Sequence, residues 1–319
     1  MSSSYVIYLN SLSQTISTYG SLALFVLGIF GNFVNIILFT FHRQLNKLPT
    51  TTFLVVSFLA SQVNLCIVSI PQLLSRFAGS DPLTKYPILC KLRWFFGPVT
   101  AIVGLHGFCL AIINQYLLTS KHIRYRQLIT RNRSYFICLT VIFYALVFLT
   151  PNLFYFTHWI NSSNKTICDI INPIAANYNV YIGLVVYCFI PILTLSIFSL
   201  LMWLNVRRIL VRQHEMEQTM TRLLIGQIIM VLLTTVAFVI HRMYFLYTKN
   251  LSKSSLQLAE ENVISAVAVL FITSTHWMSF YVYVFTSKTF RHNLSDIIFR
   301  QQGQIRPAVA KTRTPAHKT

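Results

Sequence analysis

Seven apolar stretches, each of 23 to 30 residues, alternate with short polar segments along this chain of 319 residues. As an α-helix, each stretch is long enough to cross the ~30 Å hydrocarbon layer of a membrane with some tilt. The pattern therefore predicts an all-α membrane protein, built as a bundle of seven transmembrane helices. The predicted spans are Thr18–Phe41, Thr52–Ser75, Trp94–Ser120, Tyr135–Thr157, Asn177–Val206, Leu223–Thr248 and Asn262–Ser287.

A shorter amphipathic pattern follows the seventh span. Apolar residues, among them Phe290 and Leu294, share one face of a helix over 288–300, and basic groups occupy the other face. Such a segment is typical of a short helix on the inner membrane surface. The polar, basic tail after it favours disorder. The predicted divisions are an extracellular N-terminus at 1–17, the seven-helix domain at 18–287, the surface helix at 288–300 and a disordered cytoplasmic tail at 301–319.

Composition and charge fix the surroundings and the orientation. Charged residues make up 10% of the chain, where about 25% is usual for a soluble domain. The net charge of +19 does not predict nucleic-acid binding, because the basic residues lie between the spans and form no dense stripe. If the N-terminus is outside, 18 of the 26 Lys and Arg residues fall on the inner side. The positive-inside rule then predicts a multi-pass protein of the lipid bilayer with a cytoplasmic C-terminus.

Two of the six cysteines lie between predicted spans. Cys90 comes just before the third span and Cys168 lies in the loop between the fourth and the fifth, so both face the oxidising outer side. They are positioned to form a disulfide. The outer segments also contain three Asn-x-Ser/Thr sequons, which are candidate glycosylation sites. These sequons begin at Asn161, Asn164 and Asn250.

No arrangement of residues in the chain predicts catalysis. The spans contain no pair of carboxylates, no His-Glu-x-x-His set and no exposed nucleophile beside a base. We therefore expect neither an enzyme nor a bound metal or cofactor.

Several short motifs stand at a spacing that is hard to obtain by chance. Gln115 lies 25 residues after Cys90, and Phe290-Arg291 begins seven residues after Tyr283. The other motifs are Gly31-Asn32, Asn64, Asn114-Gln115-Tyr116, Pro151, Pro191 and Ser279-Phe280-Tyr281-Val282-Tyr283. In their order and spacing the chain resembles the rhodopsin-like G-protein-coupled receptors, and among these it looks most like divergent invertebrate receptors of the peptide-receptor type.

The resemblance implies roles for two sets of residues, and the chain departs from the family in both. Asn64 and Ser279 are what remains of the family's sodium site and carry too little charge for a cation. Asn114-Gln115 offers only neutral hydrogen bonds where the family has an ionic latch. The implied polar core consists of Asn32, Asn64 and Ser279, and the implied G-protein-facing switch consists of Asn114, Gln115, Tyr116 and Tyr283.

The resemblance also places a ligand pocket at the outer end of the bundle. Gly97 stands where amine receptors carry an Asp, so an amine ligand is not expected. Arg242 lies near the outer mouth and could pair either with a peptide carboxylate or with Glu260 or Glu261. His276 is deep in the seventh span, where hydrogen bonding to a neighbouring helix is the commoner role. The pocket candidates are Gly97, Ala101, Arg242, Glu260, Glu261 and His276.

Three functions follow from these observations. The first is a plasma-membrane receptor that senses an extracellular ligand, most simply a peptide, and signals to a heterotrimeric G protein. The second keeps the fold but drops the coupling, as in a decoy or scaffold receptor, and the neutral Asn114-Gln115 pair favours it. The third is a transporter or channel, which the near absence of carboxylates within the spans disfavours.

Overall fold

The computed structural model describes residues 2–42, 45–160, 164–209, 215–248 and 251–303. Seven of the described helices are long and apolar enough to cross a membrane, which confirms the predicted seven-helix bundle. Helices 1, 2, 3, 4 and 6 are Ser2–Phe41, Pro49–Phe77, Pro87–Leu118, Arg131–Tyr155 and Glu215–Thr248. We call the end of the bundle that carries the Cys90–Cys168 disulfide the outer end, in keeping with the predicted orientation.

Helix 5 changes its winding part-way along. It is α-helical over Pro173–Ile182, π-helical over Gly183–Phe189 and α-helical again over Ile190–Ile209. Pro191 lies just after the π-helical segment. Proline has no backbone N–H to donate, and the altered hydrogen-bond pattern of a π-helical turn accommodates this loss within the helix. The wider turn rotates the preceding residues relative to a regular helix, and Tyr187 lies within it.

Helix 7 is also irregular. It is α-helical over Ser255–Thr273, tightens to a 3-10 turn at Ser274–His276 and resumes as an α-helix at Ser279–Thr286. Helix 8, Lys288–Gly303, follows after a single residue, and it extends past the predicted end at residue 300. Residues 304–319 of the predicted tail lie outside the described residues.

Helix 1 begins at Ser2, sixteen residues before the predicted span. Residues 2–17 contain neither Pro nor Gly, so nothing in this segment ends the helix. The extension contacts helix 7, because Ser13 Oγ donates a hydrogen bond to the carbonyl of Asn262 at 3.0 Å. The predicted span begins at Thr18 because the residues before it are more polar, and hydrophobic pattern alone does not show that the helix continues through them.

The described residues form one two-stranded sheet, a β-hairpin between helices 4 and 5. Its strands, Phe156–Ile160 and Thr166–Ile170, pair antiparallel, and His158 lies opposite Cys168. The hairpin begins where the fourth span was expected to continue, because aromatic and β-branched residues in this stretch favour a strand. The disulfide from Cys168 to Cys90 confirms the predicted pair and joins the hairpin to the outer end of helix 3.

Helix 3 lies at the centre of the bundle and packs closely against helix 2. Two glycines allow this approach. A Cβ added at Gly107 would lie 3.1 Å from the carbonyl oxygen of Phe53, and one at Gly104 would lie 3.1 Å from Ser61 Oγ. Ser57 Oγ donates to the carbonyl of Gly104 at 2.6 Å, so the close contact is also hydrogen-bonded.

Aromatic rings fill the inner half of the bundle. Tyr283 is fully buried, and its ring contacts those of Phe39, Phe58 and Phe290. Phe290 belongs to helix 8 and is itself buried, so helix 8 is fastened to helices 1, 2 and 7 through one cluster. The Arg291 guanidinium donates to the carbonyl of Val284 at 2.7 Å and satisfies a group at the end of helix 7.

Candidate functional site

A cavity of about 340 Å³ opens between the outer ends of helices 2 to 7. Its size falls in the range of pockets that hold small molecules or the end of a larger ligand. Four of the predicted pocket residues line it, namely Gly97, Ala101, Arg242 and His276. A Cβ added at Gly97 would be in ordinary van der Waals contact with Val68, at 3.5 Å.

Two arginines supply the charge of this cavity, Arg93 from helix 3 and Arg242 from helix 6. The Arg93 guanidinium lies 5.3 Å from the Trp94 ring and donates one long hydrogen bond, 3.5 Å, to the carbonyl of Val68. The Arg242 guanidinium lies 5.0 Å from the Phe238 ring. Ring faces stabilise a cation but leave its hydrogen-bond donors free for a ligand.

Glu260 and Glu261 do not belong to the cavity, and that part of the predicted pocket is wrong. Glu260 is exposed, whereas Glu261 is buried and forms an ion pair with Lys253 at 2.7 Å. Tyr244 Oη donates to the same carboxylate at 2.9 Å, and Gln257 donates at 3.3 Å. Helix 7 begins at Ser255, so Glu261 lies close to the loop that follows helix 6. Lys253 of that loop pairs with Glu261, in place of the pairing with Arg242 that the sequence left open.

His276 connects three helices below the cavity. Its Nδ1 is 3.2 Å from Ser61 Oγ on helix 2, and its Nε2 is 3.1 Å from Tyr187 Oη on helix 5. The carbonyl of His276 accepts a hydrogen bond from Asn32 Nδ2 at 2.8 Å, which ties helix 1 to the same point. The side chain of His276 is thus within hydrogen-bond distance of two neighbouring helices, as expected. The residue also lines the cavity.

A second, much smaller cavity lies on the inner side of His276. Its volume is about 10 Å³, close to the space of one water molecule. Polar and apolar groups line it in similar measure, and the buried Gln227 Oε1 has no hydrogen-bond partner within the described ranges. The lining includes Ser57, Ser61, Gly104, Gln227, His276 and Ser279. His276 therefore separates the outer cavity from an inner polar pocket.

Asn64 of the predicted polar core is buried, and its side-chain hydrogen bonds within the described residues go to helix 3. Asn64 Nδ2 donates to the carbonyl of Gly97 at 2.7 Å and to Thr100 Oγ1 at 3.1 Å, so it faces helix 3. Ser61 takes its place toward helix 7 and, with Ser279, lines the small pocket. Neither serine carries a charge, so these residues do not fit the sodium ion that the family resemblance implies. Among the described residues, no group of three or more His, Cys, Asp or Glu could hold a metal.

Neutral hydrogen bonds join three helices at the inner end. Gln115 Nε2 donates to Thr221 Oγ1 of helix 6 at 2.9 Å, and Thr50 Oγ1 of helix 2 lies 3.4 Å from Gln115 Oε1. Asn114 Nδ2 donates to Thr50 Oγ1 at 2.7 Å. We call Thr50, Asn114, Gln115 and Thr221 the neutral latch. Gln115 and Asn114 are both buried, so each bond is shielded from water.

The other two predicted switch residues flank the neutral latch. Tyr116 packs its ring against Phe198 of helix 5, with centroids 5.5 Å apart. Tyr283 points inward as expected, and its hydroxyl has no hydrogen-bond partner in the part of the chain that the structure describes. A buried hydroxyl without a hydrogen-bond partner is unfavourable. Another arrangement of the helices that gave the Tyr283 hydroxyl a partner would therefore be stabilised.

Of the predicted glycosylation sites, only Asn164 can be placed. It lies in the turn of the hairpin with a φ of 56°, an exposed position that suits asparagine. Asn161 and Asn250 lie outside the described residues.

Sequence reasoning missed several residues that complete these sites. Ser61, Tyr187, Thr50 and Thr221 are uncharged, and serine, threonine and tyrosine are common in membrane helices for packing alone. Thr50 and Thr221 lie near the inner ends of their helices, as Gln115 lies near the inner end of helix 3. This similar depth is the signal that could have identified them as partners of Gln115. Tyr187 had no comparable signal, because only the π-helical turn brings it to His276.

The bundle, the disulfide from helix 3 to the hairpin, and helix 8 define a seven-transmembrane receptor. The chain matches the family described as "7 transmembrane receptor (rhodopsin family)" over residues 31–293, and it belongs to that family. The human motilin receptor is 30% identical to it over 135 residues, which are 42% of this chain and 32% of that receptor. The match thus spans about a third of the relative.

Proposed function

We propose that this protein is a plasma-membrane receptor that binds an extracellular peptide in the outer cavity and signals to a heterotrimeric G protein. Its N-terminus would be outside and its C-terminus in the cytoplasm. The observation that carries the proposal is the position of His276, which lines the outer cavity and the inner polar pocket at once. A ligand that touches this residue reaches helices 1, 2, 5 and 7 through a single set of hydrogen bonds.

Two observations favour a peptide. The motilin receptor, named for the ligand it receives, shares 30% identity with the matched part of this chain. Gly97 supplies no carboxylate for an amine, and the arginines of the cavity favour a ligand with a negative group.

The proposed mechanism is a shift between two arrangements of the helices. A ligand seated against Tyr187 and His276 would favour a different hydrogen-bond pattern around the 3-10 turn of helix 7. Because Ser279 lies one helical turn below His276, the change reaches the inner polar pocket. The neutral latch between helices 3 and 6 then opens, and the ligand must prefer the open arrangement by a few kcal/mol for this to dominate.

A decoy or scaffold receptor is the alternative that one observation favours. Gln115 stands where the family's arginine meets the G protein, and it is engaged by Thr221 instead. An amide offers the G protein weaker hydrogen bonds than a guanidinium does. The chain could therefore bind its ligand without promoting nucleotide exchange.

The test is a G-protein dissociation assay on cells that display the tagged chain, with a peptide library and with Gln115→Arg in parallel. A peptide response in the natural chain supports a signalling receptor. A response in Gln115→Arg alone supports the decoy. If neither chain responds although both reach the cell surface, the proposal of a peptide receptor is contradicted.

A further inference from the structure

The outer cavity contains two arginines, and Asp81 acts on one of them, Arg93, through space without forming an ion pair. Within the described ranges, neither Arg93 nor Arg242 is within ion-pair distance of a carboxylate. The outer acids have other roles. Asp81 accepts a hydrogen bond from the backbone of Leu83, and Glu261 is held by Lys253.

The remaining outer acids also point elsewhere. Asp169 accepts a hydrogen bond from the backbone of Ile170 in the hairpin, and Glu260 is exposed on helix 7. None of the four outer acids lines the cavity. Arg242 is exposed and Arg93 is half-buried, so both guanidinium groups are open to a ligand that enters the cavity. A ligand carboxylate could pair with them through charge-assisted hydrogen bonds.

The rest of the cavity wall is largely apolar. Its apolar residues include Trp94, Pro98, Ile102, Leu184 and Phe238. An apolar side chain fits this wall, while the planar guanidinium groups match the two oxygens of a carboxylate. The volume of about 340 Å³ has room for one end of a peptide and not for a folded domain.

We infer that the cavity selects a ligand with a free carboxylate next to an apolar group, and that Arg242 and Arg93 bind this carboxylate. In a peptide, these groups are an unamidated C-terminus and an apolar last residue; a fatty acid offers the same chemistry. The inference rests on the proposed function, in that it takes the outer cavity to be the ligand site. It goes further because it names the chemical group that the site recognises, a free carboxylate.

The experiment measures the thermal unfolding midpoint of the purified full chain in detergent with matched pairs of probes at millimolar concentration. One pair is N-acetyl-Phe-Leu as free acid and as amide, and the other is decanoate and decanol. We expect the acid of at least one pair to raise the midpoint and its neutral partner to raise it much less. Arg242→Gln should reduce the apparent affinity for the acid at least tenfold.

Arg76→Gln is the matched control, because Arg76 is an exposed arginine of helix 2 that does not line the cavity. It should leave the acid effect unchanged. Arg93→Gln provides a second variant if Arg242→Gln does not fold, and it should weaken the acid effect in the same direction. Equal shifts with acid and neutral probe in both pairs, or no shift with any probe, would overturn the inference.

The two probe pairs separate this inference from the proposed function. If decanoate stabilises the chain and the peptide acid does not, carboxylate recognition stands and the peptide ligand is contradicted. If peptides trigger G-protein dissociation but amides act as well as acids, the receptor function stands and carboxylate recognition is contradicted. The unfolding assay needs no G protein, so a decoy receptor would give the same result as a signalling one.

Discussion

Uncharged side chains join helices 2, 3 and 6 at the inner end of this bundle through hydrogen bonds. Gln115 reaches helix 6 through Thr221 and lies near Thr50 of helix 2. A buried neutral hydrogen bond contributes ~1 kcal/mol, where a bond to a charged group contributes ~2 kcal/mol. The neutral latch is therefore expected to release helix 6 more readily than a charged one.

Thr221→Val tests the neutral latch directly, because valine keeps the shape of threonine and lacks its hydroxyl. Loss of about 1 kcal/mol from the latched arrangement should raise basal G-protein dissociation up to about fivefold. Thr234→Val is the control, since the Thr234 hydroxyl bonds the carbonyl of Met230 within its own helix. Unchanged basal activity in Thr221→Val would mean that this bond does not restrain helix 6.

The buried ion pair at the outer end makes a second prediction for single residues. Glu261→Gln leaves the Lys253 ammonium without its carboxylate in a site that water hardly reaches. We expect a clear fall in the thermal unfolding midpoint of the purified chain. Glu260→Gln changes the exposed neighbour in the same way and should have almost no effect. Equal effects of the two substitutions would show that the Lys253–Glu261 pair does not fasten helix 7 to the loop before it.

Close contact between helices 2 and 3 sets the geometry of the whole bundle at the scale of its elements. Gly107 brings the backbone of helix 3 against the carbonyl of Phe53, and this carbonyl cannot move aside without moving helix 2. Both cavities depend on the contact, because helix 3 lines each of them.

Gly107→Ala is expected to destabilise the chain by ~1–3 kcal/mol, because its Cβ would overlap the backbone of helix 2. Gly183→Ala is the matched control, as a Cβ at Gly183 meets nothing within 4 Å. That substitution should leave stability unchanged or raise it slightly, since alanine favours helices. The midpoint of thermal unfolding of both variants checks the difference, and a Gly107→Ala chain as stable as Gly183→Ala would contradict it.

The seven long apolar helices and helix 8 could be predicted from the sequence, whereas the extension of helix 1 and the hairpin could not. A stretch of about twenty apolar residues is required to span a membrane, so each of the seven helices left a clear signal. The extension of helix 1 to Ser2 and the hairpin at Phe156–Ile160 lie where no such requirement acts. The π-helical turn of helix 5 was likewise invisible, because hydrophobic pattern alone does not distinguish π from α winding.

The candidate site was predicted as far as position along the helices allows. Four predicted pocket residues do line the outer cavity, namely Gly97, Ala101, Arg242 and His276. They could be predicted because their depth along the helix, or the helix face that they share, follows from the sequence. The partners of Asn64 and of Glu261 were not predicted, because the environment of a side chain depends on how its helix is rotated about its axis. A rotation of about 100° per residue is enough to move a side chain from one neighbour to another.

At the scale of the whole molecule, a single covalent bond joins the hairpin to the helix at the centre of the bundle. The Cys90–Cys168 disulfide closes a loop across 78 residues of sequence, and such cross-links typically stabilise by ~2–4 kcal/mol. Cys90→Ser and Cys168→Ser should reduce surface expression equally, and the double variant should be no worse than either. Flow cytometry of the tagged chain checks this, and additive losses would contradict a shared bond.

The link from the outer cavity through His276 to the neutral latch is tested most directly by one paired measurement on Tyr187→Phe. Two quantities are measured on the same cells: the affinity of an activating library peptide, and G-protein dissociation as a function of the concentration of that peptide. Phenylalanine removes the hydrogen bond to His276 Nε2 and keeps the ring that lines the cavity. We expect peptide affinity within a few-fold of the natural chain and a clearly lower maximal response. An unchanged maximal response at unchanged affinity would contradict the proposed link.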